Sequence, residues 1–237
     1  MQFKNRCLQK ELLDDFALSG NALEKNLQNL SLANRFLGGN ALIFKALQQV
    51  LHEQPYLMQQ TLSIADLGCG GGDILRTVAQ WAYQESLPCE LTGIDANPMS
   101  IQFAKTQSYR FHNINYDTLN IFSPEFARKK FDIILLCTVC HHFTDAELIK
   151  LFAQLKEQAR AAIIVSDLHR HWLPYYATKL LTHLCDCSYL EKHDAPLSVR
   201  KAFHYAELTH LLDQANIAHY QIQWRWPFRY QILIRPF

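Results

Sequence analysis

Glycines and acids occur together in one short stretch, where the sequence offers its clearest chemistry. Residues 66–73 read Asp-Leu-Gly-Cys-Gly-Gly-Gly-Asp, so four of the chain's eight glycines fall within five positions. A backbone without Cβ atoms can turn sharply and let a ligand approach closely. An apolar segment precedes the turn and a helical pattern follows it, which predicts a strand, a glycine turn and a helix with a small ligand bound at the turn.

Two acids bracket this turn and bear on which ligand it holds. The dinucleotide fingerprint is Gly-x-Gly-x-x-Gly, yet Asp73 stands at the position of the third glycine and Asp66 lies two residues before Gly68. Two carboxylates would repel a pyrophosphate, whereas they suit the ammonium and sulfonium groups of S-adenosylmethionine. A nucleotide-dependent oxidoreductase is the alternative that these acids disfavour.

Further acids end the next two predicted strands. Asp95 is placed to accept both hydrogen bonds of a ribose diol, and Asp117 could accept one from an adenine amino group. Acids at the ends of strands also cap the following helix, and that alternative stays open for both. Together with the turn, they predict a nucleoside site.

Histidines follow the fourth predicted strand, at the same edge of the predicted sheet as the glycine turn. One of His141 and His142 is the candidate general base, because imidazole titrates near neutral pH. The alternative is that both only orient loops or cap the next helix.

The run from Cys137 to His141 also matches the C-x-x-C-H haem attachment pattern, which we attribute to chance, and no metal site is predicted. Residues 167–171 are interpreted as a solvated polar loop rather than a site for a metal or an acidic substrate.

Five alternations of strand and helix patterns surround these residues. They predict an α/β fold with a doubly wound, mostly parallel seven-stranded sheet of the Rossmann-like type, closed by an antiparallel C-terminal strand. A helical N-terminal cap either folds over the ligand or covers one sheet face. Trp172, Tyr175 and Tyr176 either wall an acceptor pocket or pack in the core. The predicted domain boundaries are 1–55 for the cap and 56–237 for the main domain, with a helical insertion at about 168–202. The cap helices are predicted at 8–18, 23–36 and 41–51. The third strand is predicted at 109–114 and the last two strands at 219–224 and 229–234, with an irregular stretch that ends at residue 200.

Composition narrows the classes of partner. The 237 residues carry a net charge of +1 and are 49 % hydrophobic, which predicts one sizeable core and gives no overall attraction to nucleic acid. No run of eighteen apolar residues occurs, and the N-terminal residues lack the pattern of a signal peptide. We therefore expect a cytoplasmic protein with reduced cysteines, no transmembrane segment and a small-molecule partner. The sequence makes no prediction of oligomeric state.

The motif region resembles the class I S-adenosylmethionine-dependent methyltransferases. Residues 66–72 are similar to the first motif of that family, residues 93–98 to its ribose-binding motif, and residues 131–136 to its fourth strand. The resemblance implies that the glycines pass close to the methionine part of the cofactor, that Asp95 holds the ribose and that Asp117 contacts the adenine. The residues expected at the cofactor are Asp66, Gly68, Gly70, Gly72, Asp95, Ala96, Asp117 and Cys137.

The resemblance also bears on the reaction. Residues 198–203 are similar to a late segment of the quinone and phenol methyltransferases. The chain lacks the Asn/Asp-Pro-Pro-aromatic sequence after the fourth strand and the Pro-Cys nucleophile that mark methylation of exocyclic amines and of base C5. This implies transfer of a methyl group from S-adenosylmethionine to a small aromatic or isoprenoid-like hydroxyl compound, leaving S-adenosylhomocysteine. A non-catalytic scaffold that binds the cofactor is the alternative from a different class.

Overall fold

A central sheet organises the molecule and brings the candidate residues to one edge. The computed structural model describes residues 3–36, 38–185 and 187–236. Seven strands form the sheet in the order β3-β2-β1-β4-β5-β7-β6; the first five are parallel, and β7 pairs antiparallel with β5 and β6. The predicted fold class is therefore confirmed. The strands are β1 (Leu62–Leu67), β2 (Cys89–Asp95), β3 (Ile114–Thr118), β4 (Phe131–Cys137), β5 (Ala159–Leu168), β6 (His219–Arg225) and β7 (Arg229–Arg235).

Helices cover both faces of the sheet. Strands β1, β4 and β5 are buried along nearly their whole length, as expected for parallel strands between two helical layers. One apolar core lies on the face covered by α2 and α3, and the other lies on the face covered by α6 and α9. In the described residues the α-helices are α1 (Asn21–Phe36), α2 (Gly39–Glu53), α3 (Asp73–Gln84), α4 (Pro98–Gln107), α5 (Pro124–Ala127), α6 (Asp145–Gln158), α7 (Trp172–Leu184), α8 (Tyr189–Lys201) and α9 (Tyr205–Gln214).

The start of the chain departs from its predicted helix. Within residues 8–18 the structure has a single 3-10 turn, Leu12–Asp14. Leu8 and Leu12 are exposed, so their spacing does not mark a buried helical face. The backbone N–H groups of Leu12 and Leu13 donate instead to the Asp194 carboxylate of α8. We call residues 3–18 the N-terminal segment.

Two further predictions were wrong in position or type. Strand β3 lies at Ile114–Thr118 instead of 109–114, because Tyr109 is exposed and the pairing with β2 begins at Ile114. The stretch predicted to be irregular contains α8, whose start is fixed by a capping box between Ser188 and Glu191. Pro196 lies inside this helix.

The aromatic helix α7 does not pack its rings in the core. Trp172 and Tyr176 are 54 % and 55 % exposed, so the core interpretation is wrong for them, and their role as a wall of an acceptor pocket stays a prediction. Tyr175 contacts Phe3 edge to face, with ring centroids 5.4 Å apart.

Within the described ranges, no helix combines the length and apolar character needed to cross a bilayer.

Candidate active site

The glycine turn between β1 and α3 has the backbone that the sequence predicts. Gly68, Gly70 and Gly72 have φ angles of +69°, +48° and +73°, which L-residues with side chains rarely adopt. A Cβ on Gly68 would lie 2.5 Å from Val139 Cγ2, and one on Gly72 would overlap the Tyr116 hydroxyl. Gly68 and Gly72 are therefore required both by conformation and by space, whereas Gly70 is required by its conformation.

Hydrogen bonds hold the turn against β2. The Gly68 N–H donates to the Ile94 carbonyl at 2.8 Å, and the Gly70 N–H donates to Asp95 Oδ2 at 2.9 Å. Arg76 Nη1 donates to the Gly71 carbonyl at 2.7 Å. Arg76 therefore stabilises the glycine turn. It was not among the residues predicted from the sequence, although its place in the first turn of the helix after the glycines is a usable signal.

A cluster of carboxylates surrounds the turn. Asp66 is 1 % exposed, and its Oδ1 has no hydrogen-bond partner among the described residues. Burial, reinforced by the charges of Asp73 and Asp95, raises the pKa of Asp66 well above its usual range. Burial also raises the pKa of Asp73, although Asn34 of α1 donates to it at 3.2 Å. Such a cluster is relieved by a bound cation.

Asp95 and Asp117 differ in how far their carboxylates are engaged. Asp95 accepts from the N–H of Gly70 and, through Oδ1, from that of Asn97 at 2.9 Å, and burial raises its pKa despite these bonds. Ala96 lies between Asp95 and Asn97 in the loop after β2. Asp117 is partly exposed and pairs with Lys129 Nζ at 2.9 Å. The cofactor roles assigned to these residues stay predictions.

The two candidate histidines have different carboxylate partners. His141 is 2 % exposed, and its Nδ1 lies 2.8 Å from Asp167 Oδ1. Asp167 also accepts from the N–H groups of Cys140 and Leu168. Burial raises the pKa of Asp167, but the nearby His141 charge and these hydrogen bonds outweigh it and hold the pKa below its usual value. The ionised Asp167 thus holds the ring through Nδ1, while His141 Nε2 faces Glu11 Oε1 of the N-terminal segment at 3.7 Å.

His142 is paired with the N-terminal segment. Its Nδ1 lies 2.5 Å from Asp14 Oδ1, and its Nε2 lies 4.0 Å from Glu11 Oε2. Burial lowers the pKa of His142, yet the Asp14 hydrogen bond and the two acidic charges raise it above its usual value overall. Lys201 Nζ lies 3.3 Å from Glu11 and 3.2 Å from Asp14. His142 is therefore stabilised as a cation, which makes it the weaker candidate for a base.

The N-terminal segment covers this edge of the sheet. Arg6 pairs with Asp145 and donates to the Phe143 carbonyl at 2.9 Å. At the other end of the segment, the Leu18 carbonyl accepts from Asn97 Nδ2 at 3.0 Å. The segment thus runs from the end of β4 to the end of β2, over the residues predicted to bind the cofactor. Helix α1 continues this cover, since Leu27 lies against the glycine turn.

The polar run after β5 is not a solvated loop. Arg170 is completely buried and donates to the carbonyls of Phe3, Lys4 and Ala202 and to the Glu207 carboxylate. With Asp167, it ties β5 to the elements around the site, which corrects the expectation of a solvent-exposed run. Long-range carbonyl partners of this kind leave no local pattern in the sequence.

The residues present fit the cationic cofactor expected from the sequence. The buried, unpartnered Asp66 Oδ1 is suited to an ammonium group, and the glycine turn is shaped so that no Cβ fills the space beside it. Burial, followed by the charge of Asp66, raises the pKa of Cys137 well above its usual value, so this thiol is neutral at the end of β4. A pyrophosphate would meet the acid cluster unfavourably.

Comparisons with known proteins agree with this architecture. Residues 59–220 match the family described as "Methyltransferase domain". A ubiquinone biosynthesis O-methyltransferase from Bartonella quintana (strain Toulouse) is 30 % identical over 114 residues, which are 48 % of this chain and 44 % of that protein. A tRNA U34 carboxymethyltransferase from Aliarcobacter butzleri (strain RM4018) is 29 % identical over 93 residues, 39 % of this chain and 29 % of that protein. The chain spans less than half the length of these curated relatives.

A solved structure extends the likeness to nearly the whole chain. The plantazolicin methyltransferase BpumL in complex with SAH superposes with a TM-score of 0.62 at 20 % identity, covering 90 % of this chain and 94 % of that one. The fold is that of the class I S-adenosylmethionine-dependent methyltransferases. The chain belongs to the methyltransferase-domain family, and the cofactor of this class is S-adenosylmethionine.

Proposed function

We propose that this protein transfers the methyl group of S-adenosylmethionine to the hydroxyl oxygen of a small aromatic or isoprenoid-like compound, with His141 as general base. The observation that carries the proposal is the buried pair between His141 Nδ1 and Asp167 Oδ1, 2.8 Å apart at the end of β4. A carboxylate that fixes one imidazole nitrogen makes the other nitrogen available to accept a proton. The name of the Bartonella relative, an O-methyltransferase, supports an oxygen acceptor.

Each group in the proposed reaction has a separate task. When bound, the cofactor supplies a methyl group activated by its sulfonium. Asp66 would hold the ammonium of the cofactor, and Asp95 would hold its ribose. The acceptor oxygen would form a bond to the methyl carbon as the bond from that carbon to sulfur breaks, which would leave S-adenosylhomocysteine. The acceptor proton would pass to His141 Nε2, and Asp167 would stabilise the imidazolium that results. The N-terminal segment excludes water from the edge where this exchange takes place.

Substitution of the histidines tests the role of the base. His141→Gln combined with His142→Gln should lower turnover of a hydroxyl acceptor by about 10²–10⁴-fold, the usual contribution of a general base. The affinity for S-adenosylhomocysteine, measured by calorimetry, should stay within about twofold, because neither ring is assigned to the cofactor. His219→Gln, at an exposed position on β6, is the matched control. Unchanged turnover in the double variant would show that positioning alone suffices and that neither histidine acts as a base.

The acceptor itself is found by screening phenols and quinols with methyl-labelled cofactor. Calorimetry that gave tighter binding of NAD than of S-adenosylhomocysteine would favour the oxidoreductase alternative. If Asp95→Ala abolished cofactor binding but left the biological role intact, the scaffold alternative would be supported instead.

A further inference from the structure

A buried arginine lies beside the end of β5 with no carboxylate in direct contact, and the more distant charge of Asp167 is the acidic charge that acts on it. Arg229, the first residue of β7, is 5 % exposed. Within residues 3–36, 38–185 and 187–236, its guanidinium has one hydrogen bond, from Nη1 to Thr138 Oγ1 at 3.0 Å, and no carboxylate within 4.0 Å. A guanidinium has five N–H donors. The other N–H groups of Arg229 have no partner among the described residues, and a guanidinium buried to this extent favours an anion beside it.

The guanidinium reaches across β5 to the end of β4. Its partner Thr138 follows β4 directly and has a φ angle of +56°, which is unusual for a β-branched residue. The Thr138 N–H donates to the Ser166 carbonyl of β5 at 2.7 Å, which holds the threonine in this conformation. Strained backbone of this kind is concentrated at functional sites.

A second unpartnered group lies beside the first. Ser166 is 1 % exposed, and its hydroxyl has no hydrogen-bond partner among the described residues. In the sheet register Ser166 pairs with Cys137 of β4 and with Gln231 of β7, two residues after Arg229. Side chains that are paired in register, or two residues apart on one strand, share a sheet face. Ser166, Cys137 and Arg229 are therefore on the same face.

Opposite charges lie on the two sides of Cys137. Burial is the main reason that the pKa of the Cys137 thiol is raised, and the charge of Asp66 raises it further. The charge of Arg229 lowers the same pKa. Asp66, on β1, is assigned to the cationic end of the cofactor. Arg229 belongs to the other side, beyond β4, where the acceptor would lie.

We infer that Arg229 and Ser166 form a subsite for a carboxylate on the methyl acceptor. This subsite rests on the proposed function, since it assumes a methyl acceptor. The free N–H groups of Arg229 and the hydroxyl of Ser166 are the donors that a carboxylate prefers. The acceptor is then a hydroxy acid, with its hydroxyl directed to His141 and its carboxylate to Arg229. The subsite distinguishes such acids from neutral phenols and quinols of the same shape.

Binding to the complex with S-adenosylhomocysteine tests this subsite without requiring turnover. The probes are hydroxybenzoic and hydroxycinnamic acids, each compared with its own methyl ester. The wild-type complex should bind at least one acid about 30-fold or more tightly than its ester, as expected for a buried, hydrogen-bonded charge pair. Arg229→Met should abolish that preference, Arg229→Lys should keep part of it, and Ser166→Ala should reduce it several-fold. Equal binding of acids and esters across the panel would overturn the inference.

Cofactor binding separates the competing assignments. Affinities of the Arg229→Met variant for S-adenosylhomocysteine and for 5′-methylthioadenosine, which lacks the amino-acid part, should both match those of the wild type. A loss confined to S-adenosylhomocysteine would assign Arg229 to the cofactor carboxylate and overturn the inference, as would an equal loss of turnover for acids and neutral phenols. If the wild type binds the acids selectively but methylates no hydroxyl, the proposed function fails while the subsite stands.

Discussion

Replacing Asp66 should make the protein more stable and less able to bind its cofactor. The side chain is 1 % exposed, one of its oxygens is unpartnered, and Asp73 and Asp95 raise its pKa further after burial. Asp66→Asn replaces the ionisable carboxyl with a neutral amide of the same shape and so removes its repulsion by Asp73 and Asp95, and relief of a poorly satisfied buried acid is worth on the order of 1–3 kcal/mol. Since 1 kcal/mol shifts the Tm of a domain of this size by about 2–4 °C, the Tm without ligand should rise by roughly 2–12 °C.

The gain in Tm from Asp66→Asn should change with pH in a direction that can be measured. A carboxyl with a raised folded-state pKa stabilises the protein below the ordinary pKa of an unfolded aspartate. That contribution is lost as the pH rises through the folded-state value. The gain in Tm from Asp66→Asn should therefore be small in mild acid and grow towards neutral pH. Scanning calorimetry of both proteins across this range measures it.

Cofactor binding should change in the opposite direction. Loss of the charged partner of the ammonium group costs about 2–5 kcal/mol, which weakens S-adenosylhomocysteine binding roughly 30-fold or more. Binding of 5′-methylthioadenosine should not change, because this compound has no ammonium group. Titration calorimetry with both compounds separates a local effect on the ammonium from general damage to the site.

A second buried aspartate is the matched control. Asp132 of β4 is also buried, but Ser63 donates to it through both its N–H and its hydroxyl at 2.8 Å, and Arg160 Nη1 lies 3.3 Å away. Asp132→Asn should lower stability and leave binding unchanged. If Asp66→Asn also lowered stability, or bound S-adenosylhomocysteine as the wild type does, the assignment of Asp66 to a cationic ligand would be refuted.

Two further predictions concern the turn and its cover. Gly72→Ala should destabilise the protein by roughly 2–4 kcal/mol in chemical denaturation, because the alanine would have a left-handed φ and would overlap Tyr116. Gly38→Ala is the control, since Gly38 has a similar φ but open space around it, and it should cost only about 1 kcal/mol. Equal costs would contradict the steric argument. The pair of His142 and Asp14 is strongest between the lowered pKa of Asp14 and the raised pKa of His142. The protection of amides in residues 3–18 from hydrogen exchange, taken relative to the intrinsic rate at each pH, should therefore fall as the pH rises through the latter. Asp14→Asn should remove that pH dependence, and its persistence would argue against the pairing.

The sequence was most informative where local chemistry decides structure. The glycine turn needs φ angles and space that only glycine provides, so its position and conformation were predictable. The sheet type followed from alternating apolar runs. By contrast, residues 8–18 have helical spacing, yet their N–H groups bind Asp194, far along the chain. Local periodicity contains no information about such a partner.

The candidate site was predictable in part for the same reason. His141 was chosen by residue type and position after β4, but its partner Asp167 was assigned to a solvated loop. Arg229 was not singled out, because its position became chemically meaningful only when β7 was placed beside β5. For α8 a usable signal existed, since Ser188 and Glu191 form the spacing of a capping box. Pro196 weighed against a helix there.

The N-terminal segment also affects the order in which the site can be assembled. Its contacts join residues at opposite ends of the chain: Leu12 to Asp194 across 182 positions, and Asp14 to Lys201 across 187. Such contacts have the highest loop-closure cost and form late in folding. During synthesis the segment is made before its partners on α8, which do not exist until the helix carrying them has been translated. The edge of the sheet beside His142 therefore stays without this cover on the nascent chain until α8 has been made.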